Sequence, residues 1–107
     1  MAETLPPMTL DELNTALDNP HFSTYVYIGA ENDKGWKMAL AIFKLLPALR
    51  IYRVASSSAA TIRQTFNVPN THVGVVFGWD REVKETLTKA KSTDFFAVSS
   101  AITNARA

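Results

Sequence analysis

The spacing of apolar positions along the chain changes period several times, and each change marks an element. Thr9 with Glu12 three residues on reads as a capping box ahead of Leu10, Leu13, Ala16 and Leu17. Those four share one face of a short helix, Leu10–Leu17, ended by Asn19 and Pro20. "STYVYIG" is then β-branched and aromatic, with Val26 and Ile28 on one face and Tyr25 and Tyr27 on the other, which predicts a strand over Ser23–Gly29. The following helix carries Ala39, Ile42, Phe43 and Leu46, and Met38, Leu40 and Leu45 widen that stripe until cover over most of its girth is expected, up to Pro47.

"RIYRVAS" alternates Ile51 and Arg53 against Tyr52 and Val54, a second strand lying beside the first if the helix between them is a right-handed crossover. "SSSAATIRQTFNV" offers serine caps and then Ala60, Ile62, Arg63 and Phe66, a short helix closed by Asn67. "THVGVVFGWDREVKETL" holds two strand runs around Gly78, Trp79, Asp80 and Arg81, a hairpin with a slightly long turn. The last segment has Ser92 or Thr93 as cap and Phe95, Phe96, Ala97, Val98, Ala101 and Ile102 as the apolar face of a helix. With no repeat, low-complexity tract or long linker, this order predicts one α/β domain over 1–107, residues 1–8 forming a flexible lead-in. A central mixed sheet of about four strands with helices on both faces accommodates it.

Composition narrows the chemistry. In 107 residues, 47% hydrophobic content and only four glycines suit a packed core. Eleven Lys and Arg against ten Asp and Glu leave a net charge of +1, too little to make a phosphate backbone or an acidic membrane surface the main partner. Cysteine is absent, which removes disulfides, thiolate metal sites and thiol nucleophiles. "MAETLPPMTLDEL" lacks a basic segment followed by an apolar one, and no apolar run approaches the roughly 18 residues of a span, so a soluble, cytoplasmic protein is expected.

The strand-to-helix junction "AENDKGWKM" is the natural place for function, because the first N–H groups of a helix point outward unpaired. Ala30-Glu31 and Lys37-Met38 bracket Asn32, Asp33, Lys34, Gly35 and Trp36. This wording, with the order of elements, resembles the thioredoxin superfamily over nearly the whole chain. In that family a strand runs into A-E-W-C-G-P-C-K-M and a long helix. "YRVASSSAATIRQTFNV" is similar to its third strand and following helix, and "THVGVVFGWDREVKETL" to its closing hairpin. The resemblance implies a thioredoxin-like fold in which the family's two cysteines fall on Asp33 and Trp36, its cis-proline on His72 after Thr71, and its buried acid on Tyr27. No thiol redox chemistry can follow. A cis bond before His72 would cost about 2.5–4 kcal/mol without proline, so a trans bond is expected.

Each of these residues has a plainer reading. Asp33 is an exposed carboxylate at a helix start, or an N-cap accepting from first-turn amides. Trp36 is a recognition anchor, or core. His72 and Asp33 form an acid–base pair, or His72 is a strand-end histidine, and His21 in its loop says less. Arg50, Arg53, Arg63, Arg81, Lys84, Lys89 and Lys91, with Tyr52 and Trp79 interleaved, form a basic stripe or, with Asp80, Glu82, Glu85 and Asp94 among them, a mixed solvated surface. Trp79 at the hairpin tip hints at a contact patch, or it folds back against Phe77 or the last helix. Gly74 and Gly78 are isolated, and the histidines and carboxylates have no metal-ligand spacing, so neither cofactor nor metal is expected.

The resemblance therefore implies a non-catalytic, redox-inactive module that binds another protein as an accessory or chaperone-like factor. Its contact residues would be Asn32, Asp33, Lys34, Gly35 and Trp36, with Asn70, Thr71, His72 and Val73 from the loop facing them and Trp79 as a separate patch. Membrane is not expected as a partner, nor nucleic acid. Two alternatives stay open: a nucleic-acid or polymerase accessory factor, and a small acid–base enzyme using Asp33 and His72. Self-association through an open sheet edge, guarded by Lys84 and Glu85, also stays open.

Overall fold

A computed structural model describes residues 10–18, 23–46, 49–54, 56–78 and 80–105. Expectations placed on residues 1–8, Thr9, Asn19, Pro20, His21, Pro47 and Trp79 lie outside these. The elements are α1 (Leu10–Ala16), β1 (Ser23–Ile28), α2 (Lys34–Leu45), β2 (Leu49–Val54), α3 (Ser56–Phe66), β3 (His72–Phe77), β4 (Val83–Thr88), α4 (Lys89–Ser92) and α5 (Phe95–Ala105). They form one α/β unit around a four-stranded mixed sheet in the order β2-β1-β3-β4. β1 runs parallel to β2, β3 runs antiparallel to β1, and β4 closes the sheet antiparallel to β3.

Burial explains why the strands read differently in sequence. β1 lies inside the sheet and is buried at every position, so it carries apolar or small residues on both faces. Of the edge strands, β2 alternates over its first four residues with Arg50 exposed, while β4 leaves the adjacent Lys84 and Glu85 exposed and buries Leu87. On one face Tyr25, Tyr27, Leu49, Ile51, Val76 and Leu87 pack against Trp36, Ala39 and Ile42 of α2 and Val98, Ala101 and Ile102 of α5. On the other, Val26, Ile28, Val54, Val75 and Phe77 pack against Leu13, Leu17, Ala59, Ile62 and Val68. Phe66 meets Phe77 edge-on at 5.0 Å between centroids, closing the end of that second core.

α2 has the wide cover its stripe predicts, with Gly35, Trp36, Ala39 and Ile42 buried and Met38, Leu40, Phe43 and Leu46 half-buried against the core, and only Leu45 of that stripe is exposed. Other helix faces differ from the sequence reading. In α3, Ala59 rather than Ala60 faces the sheet, because 59, 62 and 66 keep helical spacing. In α5 the core face is Val98, Ala101, Ile102 and Ala105, leaving Phe95 at 41% and Phe96 at 79% exposure. The cap of α5 is Asp94, whose carboxylate accepts from the Phe96 and Ala97 amides. Ser92 and Thr93 cannot serve there, since their hydroxyls donate back to the carbonyls of Lys89 and Ala90 and end the extra short helix α4.

α3 ends as its sequence suggested. Asn67 takes a left-handed φ of 57° and the Val68 amide reaches back to the Arg63 carbonyl at 2.9 Å. Two irregularities interrupt the β3–β4 ladder, between His72 and Gly74 and between Val76 and Phe77. Among the described residues no helix is long and apolar enough to cross a membrane.

Candidate functional site

Residues 29–33 carry the chain from β1 into α2, and their shape follows from how Tyr27 is packed. The Tyr27 ring is 1% exposed and lies between two glycines. A Cβ on Gly29 would stand 2.7 Å from the ring, and one on Gly35 would stand 2.5 Å from it and 2.6 Å from the Ser92 hydroxyl. Neither glycine has a positive φ, so what the sequence meets here is a demand for space. Trp36 sits beyond the same ring, 6.4 Å between centroids, and is itself 1% exposed.

The Tyr27 hydroxyl donates to Asp33 Oδ2 at 2.9 Å, and the Ala30 amide donates to the same oxygen at 3.2 Å. Asp33 occupies the N-cap position of α2 with extended backbone, yet its side chain caps nothing. The expected cap is thus corrected: the carboxylate turns back to hold the 30–33 turn, and the first-turn amides of α2 are left without a side-chain acceptor. Burial, followed by the adjoining Asp33 carboxylate, pushes the Tyr27 phenol above its ordinary range, so it stays a donor. Tyr25, next on the same face, is raised too, mainly by burial, and its hydroxyl has no partner.

A cation lies under this turn. Arg53, level with Tyr27 in the neighbouring strand, is 8% exposed. Its Nη1 donates to the Gly29 carbonyl at 3.1 Å, while its Nε has no partner and, among the described residues, no carboxylate pairs with it. A buried charge without a counter-ion is costly to hold, so Arg53 favours negative charge nearby.

Above the turn is a cavity of about 300 Å³ lined by Tyr27, Asn32, Asp33, Lys34, Gly35, Lys89 and Thr93. Four of the sequence-predicted residues, Asn32 to Gly35, are brought together here. Trp36 is not a surface anchor but core, because its indole turns inward onto Tyr27. Asn70, Thr71, His72 and Val73 are absent from the lining. Asn70 and Thr71 are exposed, and Val73 packs on the α2–α5 core. The Thr71–His72 bond is trans. The His72 ring nitrogen Nδ1 lies 2.6 Å from the Thr86 hydroxyl, and its carbonyl accepts from Arg63 at 2.8 Å. Asp33 Oδ2 and His72 Nδ1 thus have other partners, and the two residues make no hydrogen bond to each other.

Lys89 and Thr93 supply the opposite wall; the sequence names Lys89 only within a basic stripe and Thr93 only as a helix cap, and joins neither to the site. The signal available was the cap-rich run Thr88, Ser92, Thr93, Asp94, which breaks the chain into two helices and turns α4 toward α2. Among the described residues no three His, Asp or Glu side chains could hold a metal ion together. Compared with known proteins, the chain matches no family model and none of the curated sequences.

Proposed function

We propose that this chain is a redox-inactive, thioredoxin-like module that acts by binding another protein at the corner where β1 enters α2. The resemblance calls for a strand running into a turn and a long helix, then a crossover strand, a helix and a closing hairpin. Support comes from segments in that order filling one four-stranded sheet. The observation that carries the functional reading is the Tyr27–Asp33 bond. It engages the one carboxylate in the cavity wall and ties the turn down, so the corner is rigid and its remaining walls are free to meet a partner. An acid–base role would need Asp33 and His72 to act on one substrate, and nothing in their bonding favours that.

A photo-crosslinking residue at position 32 or 93, both exposed and on opposite sides of the cavity, tests this against position 64, exposed on α3. In extract of the native cells, discrete adducts of one protein from 32 and 93 and none from 64 are expected. Equal labelling from all three, or adducts from 64 alone, would overturn the reading.

A further inference from the structure

Resting on the binding role just described, we propose that the cavity receives a carboxylate of an acidic, extended peptide, with Lys34 and Lys89 as its charge partners and the Phe95–Phe96 pair as an apolar shelf beside it. Lys34 and Lys89 come from different helices, both are exposed, and neither is in a salt bridge among the described residues. Asp33, the only acidic residue in the lining, already accepts two hydrogen bonds on Oδ2. Arg53 beneath the turn, in no salt bridge among the described residues, adds a third positive charge from a region of low dielectric. The first-turn amides of α2, which Asp33 leaves uncapped, point the same way. With Lys34, Lys89 and Arg53 set against Asp33, the balance at the corner is positive, which favours a negative group.

The apolar half of the partner follows from α5. Two and three residues beyond Thr93 of the cavity wall, Phe95 and Phe96 stack edge to face at 5.9 Å with Phe96 at 79% exposure. Rings left in water so few residues along the chain from the cavity wall favour a partner whose acidic residue is followed by an apolar one. A cavity of about 300 Å³ has room for a side chain. A peptide is favoured over a nucleic-acid strand because the chain's net charge is only +1.

The test uses fluorescein-labelled octapeptides bearing Glu-Phe-Glu, Gln-Phe-Gln or Lys-Phe-Lys at their centre, and an eight-nucleotide oligothymidylate, read by anisotropy and by amide chemical-shift perturbation. The Glu peptide is expected to bind at least tenfold more tightly than its Gln counterpart, to shift amides 32–35 and 89–96, and to weaken as salt rises. Lys34→Glu with Lys89→Glu should cost it tenfold or more. Phe96→Ser should cost several-fold while leaving the salt dependence unchanged. Equal binding of the Glu and Gln peptides, or tighter binding of the oligothymidylate, sinks the acidic specificity. If the Gln or Lys peptide shifts these amides and the Glu peptide does not, the corner remains a docking site and only its charge preference is wrong. If no peptide shifts them at millimolar concentration, both readings fail. The peptide comparisons use the unaltered chain, so they do not depend on any variant folding.

Discussion

Gly35 stands in the first turn of α2, where alanine would ordinarily be worth about 0.5–1 kcal/mol more than glycine. Here the added methyl would meet the Tyr27 ring at 2.5 Å and the Ser92 hydroxyl at 2.6 Å, and the ring cannot withdraw because Gly29, Trp36 and Asp33 hold it. Gly35→Ala should therefore lower stability by about 1–3 kcal/mol, reversing the usual sign, as read from denaturant midpoints. A stabilised variant would mean that Tyr27 does not fill the space beneath α2. Trp36→Ala, at a buried site, should cost about 3–5 kcal/mol and so measures folding, not recognition. Little of this was legible beforehand. The pattern of Tyr25 and Tyr27 gave their face, but a hydrogen bond between residues six apart across a turn leaves no periodic trace.

At the scale of elements, the strands were the easiest to read. A central strand buried on both faces shows as the unbroken run "STYVYI", and the edge strand β2 shows as alternation over its first four residues. Helix faces were harder wherever apolar residues stand side by side, as at Ala59 and Ala60 or Phe95 and Phe96, because a shift of one residue turns the face by about 100° and the sequence alone does not fix the phase. The four-residue α4 has no room for a periodic stripe and was missed, and with it the second wall of the cavity. The α3 terminus makes a sharper prediction. Asn67 tolerates its left-handed φ of 57°, so Asn67→Ala should lose about 1 kcal/mol while Asn67→Gly should not. Thermal midpoints of the two variants against the parent decide it, and equal loss in both would point instead to a lost side-chain contact.

For the whole molecule, the two buried phenols tie stability to alkaline pH. Both are raised above the ordinary value of 10.0 in the folded chain, so between 10 and the raised values the folded state holds protons that the unfolded state has released. Their contribution is complete below pH 10 and is lost as pH rises through the folded values, with a limiting slope of about 1.4 kcal/mol per pH unit for each phenol. Tyr25→Phe should flatten that decline in urea titrations at pH 10 to 11.5, and an unchanged slope would show that Tyr25 is not buried as a phenol. The same thiol-free body presents one corner where the turn tied to Tyr27 meets Lys34 and Lys89 in the wall of one cavity. Amide hydrogen exchange of the protein with and without its crosslinked partner tests that claim most directly. Protection confined to residues 30–36 and 88–97 is the result expected; protection confined to α1 and α3, with that corner exchanging as in the free protein, would contradict it.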